Sequence, residues 1–233
     1  MEKIRINRSR LSDIVWRTIF ENSSGQAAAI RAELLKKSES LDYLRVQASY
    51  NTGSIGSGAI WALFSACFFF KPKVVAEVGT FIGKSTFAMA CAIDSAYQEG
   101  GEIFTCDFSN SIDLNFATKT SVRQFQMKSS TDMFTGLAAE NRQCDLILLD
   151  GRLQAEDFKL LPAILHPETV VLLDDFEGTE KGVINAMHLM NSLQTTHYLA
   201  YPPSREIMHN HGLTDGCTIG MIIPRRLVEH TNQ

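Results

Sequence analysis

The chain has no Cys-x-x-Cys pair, no run of twenty apolar residues, no basic surplus and no internal repeat. Each absence removes a class of protein. Without paired spacing, the five cysteines Cys67, Cys91, Cys106, Cys144 and Cys217 do not read as a zinc site or a dithiol. Cys67, Cys91 and Cys106 fall in apolar runs, where buried thiols are common. Their odd number, with no leader-like first segment, predicts a reducing, cytoplasmic setting. The most apolar stretch, residues 59–70, stops at Lys71-Pro72-Lys73. A membrane helix needs about 20 apolar residues, so this stretch reads as a buried helix and no membrane partner is expected. Lys and Arg total 22 against 26 Asp and Glu, a formal charge of −4. That balance argues against nucleic acid as a partner. The basic cluster Lys3, Arg5, Arg8 and Arg10 reads as a solvated terminus. A length of 233 residues suits one core, or one domain with an extension.

What is present begins at Val74-Val75-Ala76-Glu77-Val78-Gly79-Thr80-Phe81-Ile82-Gly83-Lys84-Ser85-Thr86. An apolar run of strand length turns through two glycines into a helical pattern, the front edge of a nucleotide-binding βαβ unit. A phosphate-cradling P-loop needs four residues between its first Gly and its Gly-Lys-Ser. Only three stand between Gly79 and Gly83. A dinucleotide turn needs Gly two positions after the first, and Phe81 is there. The remaining option is Glu-x-Gly-x-x-x-Gly, which resembles motif I of the class I S-adenosylmethionine (SAM) dependent methyltransferases.

Downstream spacing agrees. Residues 103–107 are a short apolar run ending in Asp107, 28 positions after Gly79. An acid there accepts hydrogen bonds from ribose hydroxyls in this architecture. The bland alternative is that it caps a turn. Residues 122–127 read as a third strand. Ser129-Ser130-Thr131-Asp132 follows as a helix start. Leu-Asp150-Gly and Leu-Asp174-Asp175 end a fourth and a fifth strand. Strands alternating with helical stretches predict a mainly parallel sheet with helices on both faces. Over roughly residues 60–223 the chain is similar to a small SAM-dependent O-methyltransferase. The resemblance implies an α/β fold, a Rossmann-like doubly wound sheet of seven strands with the last antiparallel. Residues 198–201 and 218–223 suit the final two strands. It also implies cofactor contacts at Glu77, Gly79, Gly83, Ser85, Thr86, Asp107, Ser129, Ser130 and Asp150.

The same resemblance places Asp150 near the transferable methyl. Some relatives hold a divalent cation with acids after the fourth and fifth strands. Asp150, Asp174 and Asp175 match those positions, and hard oxygen ligands suit Mg²⁺. The sequence departs from that pattern at Arg152-Leu153, where relatives carry His or another polar residue, and at Phe176, where catechol-type members carry Asn. Arg152 could neutralise Asp150 in place of a metal. Alternatively, Asp174 and Asp175 only end a strand and cap a helix. Glu180-Lys181 reads as a surface pair, and Lys84 as facing solvent or an acid.

Residues 1–58 differ from the rest. Residues 11–20 and 27–35 read as two short helices separated by Asn22-Ser23-Ser24-Gly25, with part of a third at 41–46. The Gly/Ser-rich stretch 49–58 either closes over a ligand or is a plain connection. The expected division is a helical lid over residues 1–58 and a SAM-binding domain over 59–233, with Tyr50 and Asn51 as lid residues at the catalytic centre. The leading expectation is methyl transfer from SAM to a small-molecule acceptor, through oxygen. Two other classes stay open: cyclisation of SAM to azetidine-2-carboxylate with release of methylthioadenosine, and a scaffold with no activity. A small-molecule substrate is the expected partner, and a homodimer is left open.

Overall fold

The computed structural model describes residues 9–229; Lys3, Arg5 and Arg8 lie outside them. The described residues begin with α1 (Ser9–Ser40), a 3₁₀ helix (Leu41–Gln47) and α2 (Ser57–Phe70). Then β1 (Val74–Val78), α3 (Lys84–Ala96), β2 (Glu102–Asp107), β3 (Ser121–Gln126), α4 (Ser130–Ala139), β4 (Cys144–Leu149) and α5 (Asp157–Ile164) follow. The last elements are β5 (Leu165–Leu173), α6 (Lys181–Leu193), β6 (His197–Ala200), α7 (Arg205–Asn210), β7 (Gly220–Pro224) and α8 (Arg225–Glu229).

The seven strands form one sheet in the order β3-β2-β1-β4-β5-β7-β6. Strand β7 runs antiparallel to both its neighbours, and the remaining pairs are parallel. The doubly wound fold expected from sequence is present, with its order reversing between β1 and β4. Side chains alternate across the strands because the pleat has a period of two. Val75, Leu146, Leu148, Val170 and Leu172 join the core under α1, α2 and α3. Ala76, Ile147, Leu149, Val171 and Leu173 join the core under α4, α5 and α6. Both faces are covered, so the strands read as continuous apolar runs rather than alternating ones.

Helix α2 is apolar on all sides and buried from Gly58 to Cys67, as a helix inside a protein must be. It stops where Lys71 adopts a left-handed conformation (φ 51°) and Pro72 follows. Among the described residues no helix is long and apolar enough to cross a membrane. All five cysteines are free thiols.

The N-terminal segment departs from its expected form. One 32-residue helix runs through the expected break at residues 22–25. Local signals favoured a turn there, but packing overrode them. Trp16, Ile19 and Phe20 are buried against the core of α2. The Ser23 hydroxyl is satisfied, donating to the Phe20 carbonyl at 2.9 Å and accepting from the Ser65 hydroxyl of α2 at 3.1 Å. The expected boundary at 58/59 falls inside α2. Val15, Trp16, Ile19, Phe20 and Leu34 of α1 share its core, and the 3₁₀ helix with the following loop is the part that reaches the glycine turn and the cavity.

Candidate active site

The glycine turn is braced from beneath. Glu77 alternates to the α3 side of β1 and is fully buried. Its Oε1 accepts from the Ser85 hydroxyl at 2.6 Å. Its Oε2 accepts from the hydroxyls of Thr86 at 2.5 Å and Thr105 at 2.6 Å. One carboxylate thus ties β1 to the start of α3 and to β2. Burial pushes its carboxyl upward, and the three hydroxyls offset that only in part. A buried charge is tolerable only when hydrogen-bonded in this way.

The sheet register delivers the other site residues in one row. Val78 is level with Leu149 of β4 and with Cys106 of β2. The ladder continues past the strands: Gly79 N–H donates to Cys106 at 2.9 Å, Asp150 N–H to Val78 at 2.8 Å and Asp174 N–H to Leu149 at 3.0 Å. Asp107, Gly79, Asp150 and Asp174 therefore stand side by side at the carboxyl ends of β2, β1, β4 and β5. Gly79 has φ 101°, and a Cβ there would lie 2.8 Å from the Asp150 carbonyl oxygen. Only glycine permits that close approach.

Above this row is a cavity of about 420 Å³, within the range of small-molecule sites. Gly79, Phe81, Ser85, Asp150, Asp174 and Lys181 contribute to its walls, and the loop over residues 52–56 and Tyr50 cover it. A larger apolar groove of about 900 Å³ lies between α5 and α6, with no carboxylate, Lys or Arg in its lining.

The acids after β4 and β5 form one cluster with a lysine. Lys181 Nζ is 2.6 Å from Asp150 Oδ1 and 3.1 Å from Asp175 Oδ2. Asp174 is buried, and its Oδ1 accepts from the Thr218 hydroxyl at 2.6 Å and from Asp175 N–H at 2.8 Å. Asp175 carries a left-handed backbone (φ 50°), a strain that non-glycine residues sustain only where the surroundings fix it. Gly182 lets α6 begin against this turn, because a Cβ there would collide with the Asp174 carbonyl oxygen. Burial and the neighbouring Asp174 raise Asp150 to about 8, against the downward pull of Lys181. Burial also raises Asp174, partly offset by Thr218 and the Asp175 N–H. For Lys181 burial opposes the charge, but Asp150 and Asp175 outweigh it and hold the ammonium above the ordinary lysine range.

A strap crosses the turn from the N-terminal side. Lys84 Nζ pairs with Asp42 of the 3₁₀ helix at 2.8 Å. Arg45 pairs with Asp42 at 3.0 Å, donates to the Thr52 carbonyl at 2.7 Å and to the Ser54 hydroxyl at 2.5 Å, and lies over the Phe81 ring. Tyr50 packs on Phe81 with ring centroids 5.3 Å apart. Its hydroxyl donates to Asp107 Oδ2 at 2.9 Å, an oxygen that also accepts Phe81 N–H at 2.8 Å. Burial and the Asp107 carboxylate push the Tyr50 phenol well above its ordinary range, so it acts as a donor and not as a base.

The expected site residues therefore occupy different settings. Gly79, Ser85, Asp150, Asp174, Asp175 and Tyr50 line the cavity. Glu77 and Thr86 lie beneath it as the brace, Gly83 opens α3 with φ 76°, and Asp107 anchors the strap. Ser129 caps α4 in a reciprocal capping box with Asp132, and Ser130 donates to the buried Asp157 at 2.7 Å. Asn51 is exposed. Sequence reading missed Lys181 and Thr218 as partners of the acids. The cation beside Asp150 is Lys181, while the Arg152 suggested by proximity is exposed. Lys181 lies 31 positions from Asp150 in the chain, and no local pattern announces that pairing.

Residues 76–176 match the family model of a methyltransferase domain. No curated protein matches the sequence. Several solved structures share the fold at low identity. The O-methyltransferase TomG from Streptomyces achromogenes, involved in tomaymycin synthesis and crystallised with SAM, is 14% identical with a TM-score of 0.52. That match covers 94% of this chain and 99% of TomG. The methyltransferase PaMTH1 of Podospora anserina, bound to S-adenosylhomocysteine, is 14% identical with a TM-score of 0.50, over 96% of this chain and 99% of its own. A methyltransferase from Geobacter sulfurreducens is 13% identical with a TM-score of 0.50, again over 96% and 99%. The chain shares the fold of these methyltransferases, and its residues 76–176 are similar to a methyltransferase domain.

Proposed function

We propose that this chain, with its class I methyltransferase domain, transfers the sulfonium methyl of SAM to an oxygen of a small-molecule acceptor. The observation that carries the reading is the cavity at the β1/β4 switch point, where the glycine turn and Asp150 share one wall. Ligands of open α/β sheets bind at such a point.

The residues present fit the cofactor. The bare backbone at Gly79 leaves room for close approach. Asp107 Oδ2 already accepts a hydroxyl, that of Tyr50, and a ribose hydroxyl is the same chemistry. Asp150, Asp174 and Asp175 line the cavity together with Lys181 and Lys84, and Lys84 is already paired with Asp42 of the strap. When bound, SAM supplies a methyl on a positive sulfur, an activated leaving group. The task left to the chain is to align the acceptor oxygen, exclude water and handle a proton. Asp150 and Lys181 face the cavity where that oxygen would be held. The strap through Tyr50 and residues 52–56 is the element that excludes water. A ribose hydroxyl would take the place of the Tyr50 hydroxyl on Asp107 Oδ2, with residues 52–56 closing over the bound cofactor. Cyclisation of SAM gains no support from the cavity or from the relatives, which are methyltransferases.

Calorimetry tests the reading. SAM or S-adenosylhomocysteine should bind, and turnover with an acceptor should release S-adenosylhomocysteine. Preferential binding of ATP or NAD would overturn it. Methylthioadenosine as the sole product would replace methyl transfer by cyclisation.

A further inference from the structure

Three acids at the ends of β4 and β5 are the donor set a divalent ion would need, so the fit can be tested residue by residue. Asp174 has committed Oδ1 to Thr218 and to the Asp175 N–H. Asp150 Oδ1 and Asp175 Oδ2 converge on one point, and Lys181 Nζ is at that point, 2.6 Å and 3.1 Å away. Among the described residues no group of three acids, histidines or cysteines converges to hold a metal. A divalent ion in this position would have to displace the ammonium and then sit beside it.

The chain has built the lysine into place. Gly182 admits the first turn of α6 against the Asp174 carbonyl, and the left-handed turn at Asp175 directs that carboxylate back across the helix start. Lys181 is the first residue of α6, so its backbone position is fixed by both devices. Its side chain is about a quarter exposed and lines the cavity.

We infer that Lys181 is the resident cation of the acceptor site, filling with a fixed ammonium the position between Asp150 and Asp175 that a divalent ion would otherwise take. The inference deepens the methyltransferase reading by assigning what holds the acceptor oxygen: two of the three ammonium donors face Asp150 and Asp175, and the third is left for an oxygen in the cavity. The cation question itself does not depend on that reading. An ammonium differs from Mg²⁺ in charge and in coordination, since it donates hydrogen bonds and offers no open ligand positions.

The test uses Mn²⁺ as the probe, read by electron paramagnetic resonance on the full chain, with S-adenosylhomocysteine affinity measured separately. Wild type should give no saturable Mn²⁺ signal at millimolar ion. Lys181→Met should gain a Mn²⁺ site at least roughly tenfold tighter, a change of about 1.4 kcal/mol, because Asp150 and Asp175 then lack the group that fills the point between them. Lys181→Arg should exclude the ion as wild type does. Tight Mn²⁺ binding by wild type would overturn the inference, and that measurement stands even if Lys181→Met fails to fold. Failure of a folded Lys181→Met to gain the ion would overturn it too. Loss of S-adenosylhomocysteine binding by wild type would instead sink the methyltransferase reading and leave this one standing.

Discussion

Two carboxylates a few residues from the same cavity are handled in opposite ways. Glu77 is sealed beneath the glycine turn, and neutral hydroxyls from β2 and α3 satisfy both its oxygens. Asp150 opens onto the cavity, paired with a lysine and repelled by a neighbouring acid. The first arrangement fixes a backbone shape and has nothing left to offer a ligand. The second leaves a titratable group with a shifted pKa facing a cleft, which is the setting of a functional site. The difference shows that an acid's place in a motif does not tell its role: the structural Glu77 belongs to the more recognisable motif.

The largest effect should come from breaking the sealed member. Glu77→Ala strands three buried hydroxyls, and an unsatisfied buried donor costs about 1–3 kcal/mol. We expect a loss of about 3 kcal/mol in urea unfolding, with Glu77→Gln losing about half as much because its carbonyl still accepts. An unchanged urea midpoint in Glu77→Ala would remove the distinction between the two acids.

Next is the anchor between them. Asp107→Ala should weaken S-adenosylhomocysteine binding by roughly 10–100-fold, about 1.4–2.7 kcal/mol, with little change in melting temperature. If affinity held and stability fell, Asp107 would join Glu77 as a purely structural acid.

The open member should respond to pH. The folded protein keeps a proton on Asp150 up to about 8, whereas the unfolded chain loses it near the ordinary value of 3.8. Between those values the native state binds the extra proton, so this residue makes stability fall as pH rises through that window and level off above it. Asp150→Asn should flatten that slope in urea midpoints compared at pH 5 and pH 8. A positively charged cofactor should also draw the proton off, so SAM binding at neutral pH should release protons in calorimetry run in buffers of different ionisation enthalpy. Equal slopes in wild type and variant would show that Lys181, and not burial, dominates Asp150.

The smallest effect concerns the strap. Tyr50→Phe removes the hydroxyl that occupies Asp107 and should change stability by less than about 1 kcal/mol. Cofactor affinity should rise by a few-fold, because the ribose no longer displaces a partner. Hydrogen exchange across residues 50–58 should slow when S-adenosylhomocysteine binds. Identical exchange with and without ligand would make the strap a plain connection.

Much of the fold was written locally. The apolar runs gave the strands, the glycines at 79 and 83 gave the turn, and the acids at 107, 150 and 174 marked strand ends, because the pleat and the short turn leave few other readings. The alternation of those elements pointed to a mainly parallel sheet, and the antiparallel last strand came from the resemblance to the O-methyltransferases. Other features needed the tertiary structure. Whether residues 22–25 break a helix depended on the apolar face that α2 offers. That Ser129 caps α4 with Asp132 and Ser130 holds the buried Asp157 showed only once α4 and α5 were packed together. The cation at the acid cluster came from α6, 31 positions beyond Asp150. Local pattern specifies backbone shape, which is set by neighbours in sequence; the partner of a charge is set by distance in space, and only the packed chain decides that.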